Sequence, residues 1–123
     1  MNHRNILISG AVFMALGVLF GAFGAHALKM HLSPDLMQVY KTGVEYQFYH
    51  ALGLMLIGLI GFQLKSKWLN RAGLFIFAGI VLFSGSLYLL ALTDTKWIGA
   101  ITPFGGIAFV FGWISLAVGI LKN

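Results

Sequence analysis

"VEYQFYHALG", residues 44–53, places a carboxylate, a glutamine, two tyrosines and a histidine directly ahead of an apolar run. Either these groups sit in water before a short helix, or they belong to a helix that enters a membrane. The apolar run Ala51 to Leu64 supplies about 14 residues, whereas a hydrocarbon core of about 30 Å takes about 20 helical residues to cross. A span here must therefore reach back to Val44 and carry Glu45, Tyr46, Gln47, Tyr49 and His50 to the bilayer boundary or below it. At 1.5 Å per residue, His50 lies roughly 9 Å inside that helix end.

The rest of the chain supports the membrane reading. Of 123 residues, 59% are hydrophobic and 9% charged, far from a soluble domain with about 25% charged residues. Three further blocks, 6–28, 72–92 and 102–121, are long enough to span unaided. The first resembles a signal peptide, with Arg4 before an apolar stretch and a small-x-small Ala25-His26-Ala27, and is read here as a retained span. The expected fold is all-α: a single domain, 1–123, forming an up-down bundle of four transmembrane helices, 6–28, 44–64, 72–92 and 102–121, with short loops. Ser33-Pro34-Asp35 has the form of an N-cap with a first-turn proline, which predicts a short interfacial helix over 35–40. Trp68 and Trp97 fall at span ends, where aromatic anchors belong.

Four spans put Arg4, Lys65, Lys67, Arg71 and Lys122 on one side and Lys29, Lys41 and Lys96 on the other, which predicts both termini in the cytoplasm and a multi-pass protein of the cell membrane. The net charge of +5 forms no basic run interleaved with aromatics, so it reads as membrane-surface anchoring and excludes a nucleic-acid partner. The absence of cysteine removes disulfides and thiolate metal sites.

Small residues form two stripes: Gly10, Gly17, Gly21 and Gly24 in the first span, and Gly105, Ala108, Gly112, Ser115 and Gly119 in the fourth. Lipid gives little hydrophobic drive between helices, so close backbone approach at such stripes is the expected packing device, within the chain or in a homo-oligomer. A faint repeat accompanies them, since Gly10, Ala15, Val18, Leu19 and Phe20 match Gly73, Ala78, Val81, Leu82 and Phe83 at a constant offset.

The polar groups gather at one end. His26 closes the first span, Glu45 to His50 open the second, Ser84, Ser86, Tyr88 and Thr93 lie late in the third, and Thr102 opens the fourth. Intramembrane ionisable groups are costly and suggest function. Each also has a plain structural role: Glu45 can pair with Lys41, Tyr46 and Tyr49 can be belt aromatics, His26 and His50 can be satisfied core groups, and Thr102-Pro103 can cap the fourth helix. His31 lies in a loop and reads as solvated. Glu45 and His50 lie about 140° apart around one helix, so pairing of His26 with His50 or Glu45 between helices is the freer geometry. No metal or other cofactor is expected, because no short ligand spacing occurs, and the serines lack a nucleophile elbow.

The motifs "GAFGAHAL" (21–28), "YQFYHALGL" (46–54), "LFSGSLYLLALT" (82–93) and "GAITPFGGIAFVFGW" (99–113) together resemble domain-of-unknown-function family 423, small four-helix bacterial membrane proteins related to a eukaryotic four-helix transmembrane protein. The resemblance covers nearly the whole chain. It singles out Gly21, Gly24, His26, Tyr46, Gln47, Tyr49, His50, Ser84, Gly85, Ser86, Tyr88, Thr102, Pro103, Gly105, Gly106 and Trp113. It implies the fold and the membrane location and no reaction. Three functional classes stay open: a non-enzymatic bundle whose polar cluster binds a lipid, a small ligand or a partner helix; a small transporter or proton conductor using His50 and His26; and an accessory subunit of a membrane redox complex.

Overall fold

A computed structural model describes all residues, 1–123, as helices joined by short turns. Helix α1 runs His3–Leu28, α2 Pro34–Gln63, α3 Lys67–Thr93 and α4 Thr102–Leu121, the last preceded by a 3₁₀ turn over Lys96–Ala100. The segments His3–Leu28, Lys67–Thr93 and Lys96–Leu121 are long and apolar enough to cross a membrane. The remaining helix, α2, has 30 residues, so it is about 45 Å long.

Helix α2 departs from the expected layout at its start. Ser33 caps it, its Oγ accepting from Leu36 N at 3.2 Å, and Pro34 fills the first turn. Residues 35–40 are not a separate interfacial helix, however, but the first turns of α2, which continues unbroken to Gln63. Nothing between Tyr40 and Val44 ends a helix: Gly43 keeps its place because the Tyr88 ring occupies the space a Cβ would need, 2.8 Å away. Helix α3 ends at Asp94, which adopts a left-handed conformation with φ of 51° and returns its N–H to Leu90 O.

The glycines define the packing. Along α1, Gly10 faces Met55 and the Ala51 carbonyl, Gly17 faces Phe48, Gly21 faces Val44 and Gly24 faces the Tyr40 hydroxyl. Partners in α2 fall in number as those in α1 rise, so the two helices are antiparallel. In the second hairpin Gly105 lies against the Phe83 backbone, Gly112 against Ile76 and Ala72, and Gly119 against Leu69 and Trp68. A Cβ at Gly105 would stand 2.4 Å from Phe83 N, which holds α4 at backbone contact with α3. Ala108 is half-buried and Ser115 buried on the same helix. Both stripes are thus occupied by contacts within one chain.

The α1/α2 and α3/α4 hairpins join through a core of Ile6, Leu54, Ile57, Leu69, Ala72, Ile76, Ile80, Phe109 and Leu116, with a smaller cluster of Tyr40, Val44 and Ala91 toward the α1–α2 loop. Both α1 and α3 contain a segment of wider π-type turns, Leu19–Gly24 and Ile80–Ser84. Phe20 and Phe83, matched by the sequence repeat, both lie in these segments.

Candidate functional site

Most of the polar side chains among the helices are absorbed by one another. Gln47 is 2% exposed and is bonded at both ends: its Nε2 donates to the Phe13 carbonyl of α1 at 2.8 Å, and its Oε1 accepts from the Tyr88 hydroxyl of α3 at 2.5 Å. One side chain therefore ties three helices. One turn before Tyr88, Ser84 donates to the Gly43 carbonyl at 2.6 Å, so a single face of α3 engages one turn of α2 twice. Ser86 donates to Phe83 O at 2.9 Å; its single proton being used there, Thr102 Oγ1 is the donor in the 2.5 Å contact between the two hydroxyls. Tyr40 donates to the Phe20 carbonyl, which also receives the π-type bond from Ala25 N.

This network corrects one expectation and completes another. Thr102 does not cap α4: the cap position is Ile101, in helical conformation with no side-chain bond, and Thr102 is turned toward Ser86 instead. Tyr40, assigned from the sequence only to an interfacial helix, is 4% exposed and belongs to the network. A tyrosine four residues before Val44 carries no sequence signal for this, because its acceptor is a backbone carbonyl about one helix length away in the chain.

The other expected residues lie elsewhere. Glu45 and Tyr49 are exposed and bond to each other, Tyr49 donating to Glu45 Oε1 at 2.6 Å, so the carboxylate is engaged by a hydroxyl within its own helix. His26 is exposed on the last turn of α1 and Thr93 bonds back to Leu89 O. His26 and His50 are not brought together, since His50 is in contact with α4 and α1 does not pack against α4. No group of three or more His, Asp or Glu side chains converges anywhere.

His50 stands apart from the closed network. It is 7% exposed, and its ring lies face to face on Phe109 with centroids 3.5 Å apart and planes 10° apart. Its Nδ1 meets the Tyr46 carbonyl at 2.8 Å. A carbonyl only accepts, so Nδ1 carries the proton and Nε2 is left as an acceptor. No group of the protein engages Nε2, and the atom keeps some surface. Tyr46, Phe83 and Trp113 complete an aromatic ledge: Tyr46 lies 4.6 Å from Phe83, and Trp113, 5.8 Å from His50, is seated over Gly53. Tyr46 and Trp113 are each 36% exposed, and their hydroxyl and indole N–H have no partner within the chain. Of these residues, Phe83 and Phe109 were missed as site candidates because phenylalanine in an apolar span is indistinguishable from core until the facing helix is placed.

Long apolar helices around an interior whose polar groups, His50 Nε2 apart, are hydrogen-bonded define an all-helical membrane protein. The model of a family described as "Protein of unknown function (DUF423)" matches residues 20–106. The chain is 46% identical over 117 residues to the UPF0382 membrane protein YwdK of Bacillus subtilis, covering 94% of this chain and 95% of that one. It is 48% identical over 116 residues to the UPF0382 membrane protein SERP0230 of Staphylococcus epidermidis and 47% identical over 116 residues to SH2409 of Staphylococcus haemolyticus, with 94% of each chain covered. The protein belongs to this DUF423 family of membrane proteins. No solved structure matches it.

Proposed function

We propose that the protein is a four-span protein of the cell membrane with both termini in the cytoplasm, and that it acts by binding rather than by catalysis. The binding surface is the ledge formed by Tyr46, His50, Phe83, Phe109 and Trp113. Its occupant carries a hydrogen-bond donor on an apolar body, as a lipid or a helix does; a second copy of this chain is one such helix. The observation that carries this reading is the His50 ring itself, held on one face by Phe109 and at Nδ1 by the Tyr46 carbonyl, with its remaining nitrogen unpartnered. An acceptor at membrane depth without a donor is unfavourable, so an occupant that supplies one is held there. By contrast, Gln47, Ser84, Ser86, Tyr88 and Thr102 support a structural role, because their hydrogen bonds are made inside the fold.

Native mass spectrometry from mild detergent tests the proposal. Wild type is expected to retain a lipid or a second copy, and His50→Phe, which keeps the stacking on Phe109 but has no acceptor, is expected to lose it with its helix content unchanged. Bare monomer for the wild type, or equal retention by His50→Phe, overturns the proposal.

A further inference from the structure

The opposite end of the molecule holds a different site. A cleft of about 480 Å³ opens between the first turn of α1, the loop joining α2 to α3 and the first turn of α3. Its polar walls are Asn2, His3, Lys65, Ser66, Lys67 and Asn70. Gly61 forms part of the wall: a Cβ there would lie 2.4 Å from the His3 Cβ, and its absence lets the α1 start sit against the end of α2.

The charge around this cleft is one-sided. Arg4, Lys65, Lys67, Arg71 and Lys122 all lie at this end, whereas the three acidic residues, Asp35, Glu45 and Asp94, lie in the first turns of α2 or just beyond α3, at the other. With no carboxylate side chain to meet, Arg71 and Lys122 are placed over the Trp68 ring, at 4.9 and 5.4 Å. Neither α1 nor α3 has an acidic residue in its first turn. Cations stand there instead, where the partial positive charge of a helix start disfavours them. The cleft thus concentrates positive charge, has room for a group larger than water, and has no acidic side chain at its end of the molecule.

We propose that this cleft binds a phosphate group, with Lys65 and Lys67 as its cationic contacts and the Asn2 and Asn70 amides as additional donors. Beside Trp68, whose indole marks a membrane interface, a phosphate is available from an anionic phospholipid or from solution. The purified full-length chain in mild detergent distinguishes them. Phosphatidylglycerol and phosphatidylcholine are titrated in parallel by native mass spectrometry, and inorganic phosphate is titrated by thermal shift. The expected result is a preference for phosphatidylglycerol on the order of tenfold, abolished in Lys65→Gln/Lys67→Gln and kept in Lys29→Gln/Lys41→Gln, whose cations lie at the other end. Stabilisation by inorganic phosphate alone, lost in the same Lys65/Lys67 variant, also supports the site and assigns it to a soluble phosphate. Equal retention of the two lipids with no response to phosphate, or equal loss of preference in both double variants, overturns it.

Discussion

Gln47 shows what a single polar residue does between packed helices. Both ends of its amide are bonded, to Phe13 O and to the Tyr88 hydroxyl, so truncating it strands a donor on α3 and a carbonyl on α1. Gln47→Leu is expected to lower stability by about 1–2 kcal/mol, the upper range for interhelical bonds in membranes, and Tyr88→Phe by about 1 kcal/mol. The shift in the midpoint of SDS-induced unfolding, followed by circular dichroism, measures both. Glycines at two neighbouring sites should respond in opposite senses. Gly105→Ala puts a methyl 2.4 Å from the Phe83 backbone and is expected to cost about 1–3 kcal/mol, while Gly85→Ala meets nothing within 4 Å and is expected to be neutral or stabilising by up to about 1 kcal/mol. Equal midpoints for the two would contradict this packing. From sequence, Gly105 belonged to the small-residue stripe of the fourth span and Gly85 was singled out only by the family motif; which of them touches backbone depends on the partner helix.

At the scale of elements, the chain consists of two antiparallel hairpins of related construction. Each first helix has a segment of π-type turns that takes in the Leu-Phe of a matching Val-Leu-Phe, and in each a hydroxyl bonds the carbonyl of the matched phenylalanine: Tyr40 on Phe20, Ser86 on Phe83. Wider turns tilt carbonyls out of the regular ladder and make them available to side-chain donors. Because the two bonds sit in separate hairpins, Tyr40→Phe and Ser86→Ala are expected to lose about 1 kcal/mol each and to add in the double variant within about 0.5 kcal/mol. Gly24→Ala should be the more damaging change near Tyr40, since its methyl would collide with the tyrosine hydroxyl. A double-mutant cycle by the same unfolding assay reads out all of these. The repeat was legible as a faint sequence echo, but the wide turns were not, because Leu, Phe and Gly in a membrane helix carry no signature of an extra residue per turn.

For the molecule as a whole, charge separates the two ends more completely than a count of lysines suggests. Every acidic side chain lies at the end of the α1–α2 and α3–α4 connections, and the other end is basic throughout. The proposed orientation predicts that a fluorescent protein fused after Asn123 fluoresces and that alkaline phosphatase fused at Asp94 is active. The reverse pattern would invert the topology. It would also move the phosphate cleft to the outer face, so this measurement bears on both proposals.

The motifs at 21–28, 46–54, 82–93 and 99–113 carried the family, though not the start of α2 at Pro34, ten residues before the expected span; length and hydropathy were enough to define an all-helical membrane protein and to place its three long apolar helices, since a bilayer's thickness and the loss of water constrain any chain in the same way. They also drew the polar stretch of residues 44–50 into α2. Only the tertiary structure divided that stretch into its three uses, with Gln47 inside a closed network, Glu45 and Tyr49 paired on the surface, and His50 stacked on Phe109 with a nitrogen left over. The physical reason is that a hydrogen bond between helices depends on rotation and register. Those are decided by where Gly43, Gly53 and Gly105 let neighbouring side chains and backbone approach, which no single helix specifies by itself.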